Sequence, residues 1–100
     1  VRVLFQPGAA DDLLQIEAWL DSQRPGAGRR IARKIVQKCE RLAAHPWIGR
    51  QREALASGLR SISEKPYVIF YRIDADVVVV MIAHGARDLD RLVRERLSET

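Results

Sequence analysis

His84-Gly85-Ala86-Arg87-Asp88 brings a histidine, an arginine and a carboxylate into one short stretch of this chain. Such a trio has the parts for proton transfer. His84 could equally hydrogen-bond Asp88 and fix the exit of a strand, and the residues by themselves favour that structural role. Two further arginines, Arg60 and Arg72, stand within apolar, strand-like sequence. Charges are costly to bury among apolar neighbours, so isolated strand arginines more often mark a site than a random surface does. Side chains on adjacent strands stand ~5 Å apart. Arg60, Arg72 and Arg87 could therefore converge on one face. Pairing of a strand arginine with Glu64 or Asp88 is the plain alternative.

Other chemistries find less support. No serine among Ser22, Ser57, Ser61, Ser63 and Ser98 sits in a Gly-x-Ser-x-Gly turn. Cys39 falls on the apolar stripe of a helix and reads as a buried, inert thiol. Neither a glycine-rich phosphate loop nor a metal-ligand spacing is present, and no cofactor is expected. Asp11-Asp12 reads as a helix start, Asp74 and Asp76 as a turn. His45, before Pro46, suits a helix end. Six basic residues (Arg29, Arg30, Arg33, Lys34, Lys38 and Arg41) stand against Glu40 between Gly28 and Arg41. A solvated helix face is the usual meaning of such a run. The functional alternative is a contact surface for phosphates or for an acidic protein. Aromatic interleaving, which would favour single-stranded nucleic acid, is missing from it. Trp19 lies off the main stripe of its helix and Trp47 lies in a loop. Either is core or an interface anchor.

The elements that position these residues follow from periodicity. Val1 to Gln6 alternates and predicts a short strand, ended by Pro7-Gly8. Ala9, Leu13, Ile16 and Leu20 recur at helical spacing and predict a helix over 9–20. Asp21 to Gly28 is a turn. Ala32, Ile35, Cys39 and Leu42 predict a second helix over 29–44, stopped by His45-Pro46. Two helices joined by a short turn form a helical hairpin. Trp47 to Gly58 is a connection without a firm element. Strands are predicted over 59–64, 67–73 and 77–84, the last two forming a hairpin around Asp74-Ala75-Asp76. Asp88 to Leu97 is a short charged tail with helical potential.

The expected class is α+β: an N-terminal strand, an antiparallel helical hairpin, then a three-stranded antiparallel meander. The helices pack on one face of a sheet of roughly four strands. Because the last two strands are apolar on both faces, the second face needs a cover, and a partner is the expected one.

Composition sets the frame. One hundred residues suit a single domain over 1–100. An apolar share of 47% supplies one modest core. No run approaches the ~20 apolar residues of a membrane helix. No secretory signal is visible at the start, and a lone cysteine fits a reducing cytosol, so a cytoplasmic location is expected. The charge is +4, from 17 Lys+Arg against 13 Asp+Glu. That mild basic excess is compatible with nucleic acid, ribosomes or an acidic protein, and selects none of them.

The residues also carry a family resemblance. Phe5-x-Pro7-x-Ala9-x-x-Asp12-Leu13-x-x-Ile16-x-x-Trp19-Leu20 resembles the opening of the ParE/RelE toxin superfamily. So do Arg41-Leu42 with Pro46 and Gly49-Arg50, and the stretch Gly58-Leu59-Arg60-Ser61 through Tyr67-x-Ile69-Phe70-Tyr71-Arg72. Ile82-x-His84-Gly85-Ala86-Arg87-Asp88 completes a series that spans nearly the whole chain.

The resemblance implies the toxin half of a bacterial type II toxin–antitoxin pair. It implies a ParD-like antitoxin whose C-terminal segment wraps the toxin, with Leu13, Trp19, Arg60, Arg72 and Arg87 as antitoxin contacts. His84 and Asp88 form a possible functional cluster. A heterotetramer of two toxins and two antitoxins is the family-level assembly. Two activities occur in the superfamily. ParE-like members poison DNA gyrase and arrest growth. RelE-like members cut mRNA on the ribosome, using strand lysines and arginines with a tyrosine or histidine near the C-terminal end. In this chain Arg87 matches one arginine of that set. Leu59, Ser61, Val68 and Val93 stand where lysines, an arginine and a tyrosine are implied. The expectation is therefore a ParE-like, non-enzymatic gyrase inhibitor, with the ribosome-dependent nuclease as the alternative.

Overall fold

Three residues of parallel pairing start the architecture. In the computed structural model, which describes residues 1–98, strand β1 (Val3–Phe5) lies parallel to β5 (Val77–His84), with Val3 opposite Val77. The last two residues of the domain expected over 1–100 lie outside the described residues. Asp76 ties the start of this pairing: it accepts the Arg2 backbone N–H at 3.1 Å and the Arg2 guanidinium at 3.2 Å. Those bonds, the backbone one foremost, hold its carboxyl below the usual range.

Helix α1 spans Pro7–Gln23, two residues earlier than the apolar spacing predicts. Proline at the first helical position supplies the right φ and sacrifices an N–H that has no helical acceptor anyway. The same Pro7-Gly8 that ends β1 thus begins the helix. Asp11 and Asp12 consequently lie beyond the first turn. They do not cap the helix, and Asp12 has another role, described below.

Helix α2 spans Ala27–Glu40 and continues as a 3-10 turn over Arg41–Ala43. Gly26, at φ +85°, directs the chain back from α1 into α2. Gly28 sits where the two helices cross: a Cβ there would meet the Glu17 carbonyl oxygen at 2.0 Å. Only glycine allows this approach. Its N–H donates to Asp21 at 2.7 Å, locking the hairpin.

After a second 3-10 turn at Pro46–Ile48 come β2 (Arg50–Gln51), β3 (Leu59–Glu64) and β4 (Tyr67–Ile73). The sheet has five strands in the order β1-β5-β4-β3-β2. The fifth strand is β2, which is too short to show any alternation and falls in the segment that reads as a loop. The antiparallel meander β3-β4-β5 is as expected.

The sheet has two apolar faces and both are covered. The helical hairpin packs Ile35, Cys39 and Leu42 against Ile62, Ile69, Tyr71, Val79 and Ile82. Burial pushes the Cys39 thiol up to about 12, so it is an inert part of this core. On the other face, helix α3 (Leu89–Ser98) sets Val93 over Leu59, Phe70, Val80, Met81 and Ala83. The cover predicted to be a partner is therefore the chain's own charged tail. Its polar residues hide a stripe of Leu89, Leu92, Val93 and Leu97 at helical spacing.

Tyr71 joins the sheet to the connection before it. Its hydroxyl donates to the Pro46 carbonyl at 2.8 Å and accepts the buried Gly49 N–H at 2.8 Å. Tyr71→Phe leaves both groups unpaired in the interior, at a cost of about 1–3 kcal/mol. Chemical denaturation should show that loss; an unchanged midpoint would show that water replaces the hydroxyl.

Candidate functional site

A cleft of about 380 Å³ opens between α1 and the end of β5. Asp12, Ile16 and Trp19 reach it from successive turns of one helix face. Tyr67 and His84 are register partners on β4 and β5, and Ile82 lies one pleat back on the same face. Arg87 follows from the turn after β5. The floor is apolar (Ile16, Tyr67 and Ile82), while His84 and Arg87 form an exposed rim. Trp19 is the lip, with 62% of its surface exposed. The His84 and Tyr67 rings meet edge to face at 5.5 Å between centres.

Asp12 anchors the inner wall. Its carboxylate takes both Arg96 guanidinium nitrogens, at 2.8 and 2.9 Å, in a two-pronged ion pair. It also accepts the Ile82 N–H at 2.9 Å, and Arg96 donates to the Val80 carbonyl at 3.0 Å. Because β1 pairs only with Val77–Val79, this stretch of β5 lacks a strand neighbour on that side. The two side chains supply the bonds a strand would have made. A shift of register between Phe70 and Tyr71 makes Val80 the extra residue of a bulge, beside this substitution. Asp12 is thus committed to structure.

The remaining titratable groups have defined tasks. His84 accepts the Ala86 N–H on Nδ1 at 3.0 Å, and this bond takes the place of the expected pairing with Asp88. Asp88 accepts the Arg91 N–H at 3.2 Å and caps α3. The His84–Asp88 cluster is therefore two separate local fastenings.

The three arginines do not converge. Register pairs Arg60 with Tyr71 and Leu59 with Arg72, so Arg60 faces the helical hairpin side and Arg72 the α3 side. Arg87 lies at the far end of β5 from both. Arg60 makes its own cluster: its guanidinium lies 5.0 Å from the Trp47 ring centre and donates to the Trp47 and Gly49 carbonyls at 3.2 and 2.8 Å. Trp47 is 66% exposed beneath it. Leu13 packs on the hairpin-side core. Of the residues singled out in the sequence, the cleft gathers Trp19, His84 and Arg87. Asp12 as an anchor was missed, since its partner lies 84 positions away and no spacing signal links them.

A small α+β domain with a hairpin on one sheet face and an aromatic cleft beside the end of β5 defines a fold class already known. A chain from a chromosomal ParDE toxin–antitoxin system of P. aeruginosa superposes with a TM-score of 0.72 at 20% identity, covering 84% of this chain and 95% of that one. The family described as the ParE toxin of the type II toxin–antitoxin system parDE matches residues 3–89, and this chain belongs to it. Toxin ParE1 of Mycobacterium tuberculosis is 29% identical over 90% of this chain and 95% of its own length. Toxin ParE3 of Caulobacter vibrioides is 44% identical over 56% of this chain, and the match spans 57% of that protein.

Asp12→Ala removes the ion pair and strips the Ile82 N–H of its acceptor. The expected loss is about 1–3 kcal/mol, given partners that keep some solvent. Thermal or urea unfolding measures it, and Arg96→Leu should behave alike.

Proposed function

We propose that this chain is a ParE-type toxin that arrests growth by binding DNA gyrase, and that a ParD-like antitoxin silences it by occupying the Trp19 cleft. The family supports an antitoxin partner. The observation that favours gyrase poisoning over mRNA cleavage is the fate of the implied nuclease positions. Leu59, Ser61 and Val93 are buried, and Val68 packs with them in the layer under α3. Side chains there pack the sheet against α3, which disfavours contact with a phosphodiester. Cleavage without a metal needs a base, an acid and cations at the reacting phosphate. Asp12 and Asp88 are tied into the fold, and among the described residues no ion pair joins His84 or Arg87 to a carboxylate at the rim.

The cleft suits a peptide. Its apolar floor accepts a buried side chain and its cationic rim suits an acidic, apolar segment that folds on binding. Among the described residues no helix is long and apolar enough to cross a membrane. A cytoplasmic location and an assembly of two toxins with two antitoxins complete the reading.

Purified protein incubated with gyrase, ATP and supercoiled plasmid should yield linear DNA after protein denaturation. The linear product reports a trapped cleavage complex. Absence of linear DNA, with cleaved mRNA in expressing cells, would replace this reading with the nuclease one. Trp19→Ala should weaken the cognate antitoxin by about tenfold or more, as loss of an aromatic anchor does. Stability should move by less than ~0.5 kcal/mol, because the ring is largely in water. An unchanged antitoxin affinity in a titration would place the antitoxin elsewhere.

A further inference from the structure

The basic helix is left without a task by everything above. Residues 28–41 carry six basic side chains and one acid, whereas the rest of the chain holds eleven basic residues against twelve acidic ones. This stretch therefore carries a charge of +5 and the rest of the chain −1, giving the net +4. Its inner face is buried through Ala32, Ile35, Cys39 and Leu42, so the charges are forced outward. Arg29, Arg30, Arg33 and Lys34 are all exposed and line one shallow groove with Gln37. None of them takes part in an ion pair among the described residues. Glu17 and Glu40 flank only the Arg29–Arg33 side. From Arg29 to Arg41 the cationic ridge runs ~18 Å at the helical rise.

We propose that this face of α2 binds the phosphate backbone of duplex DNA. Three features select that partner. The ridge is a dense row of cations along one helix, suited to a duplex that presents one charge per ~1.7 Å of axis. It carries no aromatic residue on which unpaired bases could stack, which disfavours single strands. An acidic protein would need apolar anchors at the centre of its contact. The large exposed apolar side chains (Val1, Leu4, Leu14, Trp19, Trp47 and Ile48) all lie off α2. Backbone contacts carry no base information, so binding is independent of sequence. The ridge and the Trp19 cleft are built from different elements, and the inference does not depend on gyrase being the target.

The test is fluorescence anisotropy of a labelled short duplex of arbitrary sequence, titrated with the purified chain from ~50 to ~200 mM salt. Four phosphate contacts give a log–log salt slope of about −3.6. Arg30→Gln/Lys34→Gln should reduce the slope by about 2 and weaken binding about tenfold or more at low salt. Arg29→Gln/Arg33→Gln should do the same independently. Arg91→Gln/Arg94→Gln on α3 removes equal charge and should leave the slope unchanged. Circular dichroism confirms that each variant is folded. No binding at ~50 mM salt overturns the proposal, as does equal weakening by the α3 control. Tighter binding of a single strand, or displacement of the duplex by poly-glutamate at equal charge, would reassign the ridge to RNA or to an acidic protein. Gyrase is absent from this assay, so its outcome and that of the plasmid assay are separable.

Discussion

The ion pair between Asp12 and Arg96 substitutes for a missing strand, and the arrangement of the molecule turns on it. β1 ends after three residues because Pro7 bends the chain into α1. That leaves half of β5 with polar backbone groups and no strand neighbour on the β1 side. Unpaired backbone groups beside a core are costly. Asp12 from α1 and Arg96 from α3 resolve this by binding the strand and each other. One contact therefore sets the position of both helices on β5. The Trp19 cleft lies one and two helical turns further along α1, so its inner wall is set by the same contact.

Much of this was legible in the sequence. Helical spacing located both hairpin helices, because Ala32, Ile35, Cys39 and Leu42 recur along one face, and the runs of β-branched and aromatic residues over 67–73 and 77–84 located the last two strands of the meander. The alternation failed for β2, whose two residues cannot display a period. Reading Asp88 to Leu97 as a charged tail understated its role. A helix that caps a sheet needs only one narrow apolar stripe, and four residues among many charges supply it. The partner expected on that face was an inference from an apolar surface whose cover lay within the same chain.

The candidate site was half legible. Trp19 stood out because it departs from the buried stripe of its own helix, and the structure leaves it in water. His84 and Arg87 were visible as a short motif at a strand end. The supposed convergence of Arg60, Arg72 and Arg87 depended on register. A one-residue offset sends strand side chains to opposite faces. Pairing Leu59 rather than Arg60 with Arg72 separated them. Family resemblance supplied what spacing could not, namely the toxin–antitoxin family to which the chain belongs.

The distance between the two halves of the Asp12–Arg96 pair has a kinetic side. They are 84 positions apart, so the contact closes nearly the whole chain into a loop. Closing so long a loop precedes any reward from the contacts it allows. During synthesis Asp12 leaves the ribosome long before Arg96 exists to meet it. Until then the α3 side of the sheet, with Phe70, Val80 and Met81, is uncovered. The hairpin and the meander can assemble early from local contacts, but the finished cleft wall appears among the last events. The inner wall of the Trp19 cleft is therefore completed only once α3 has been made and docked.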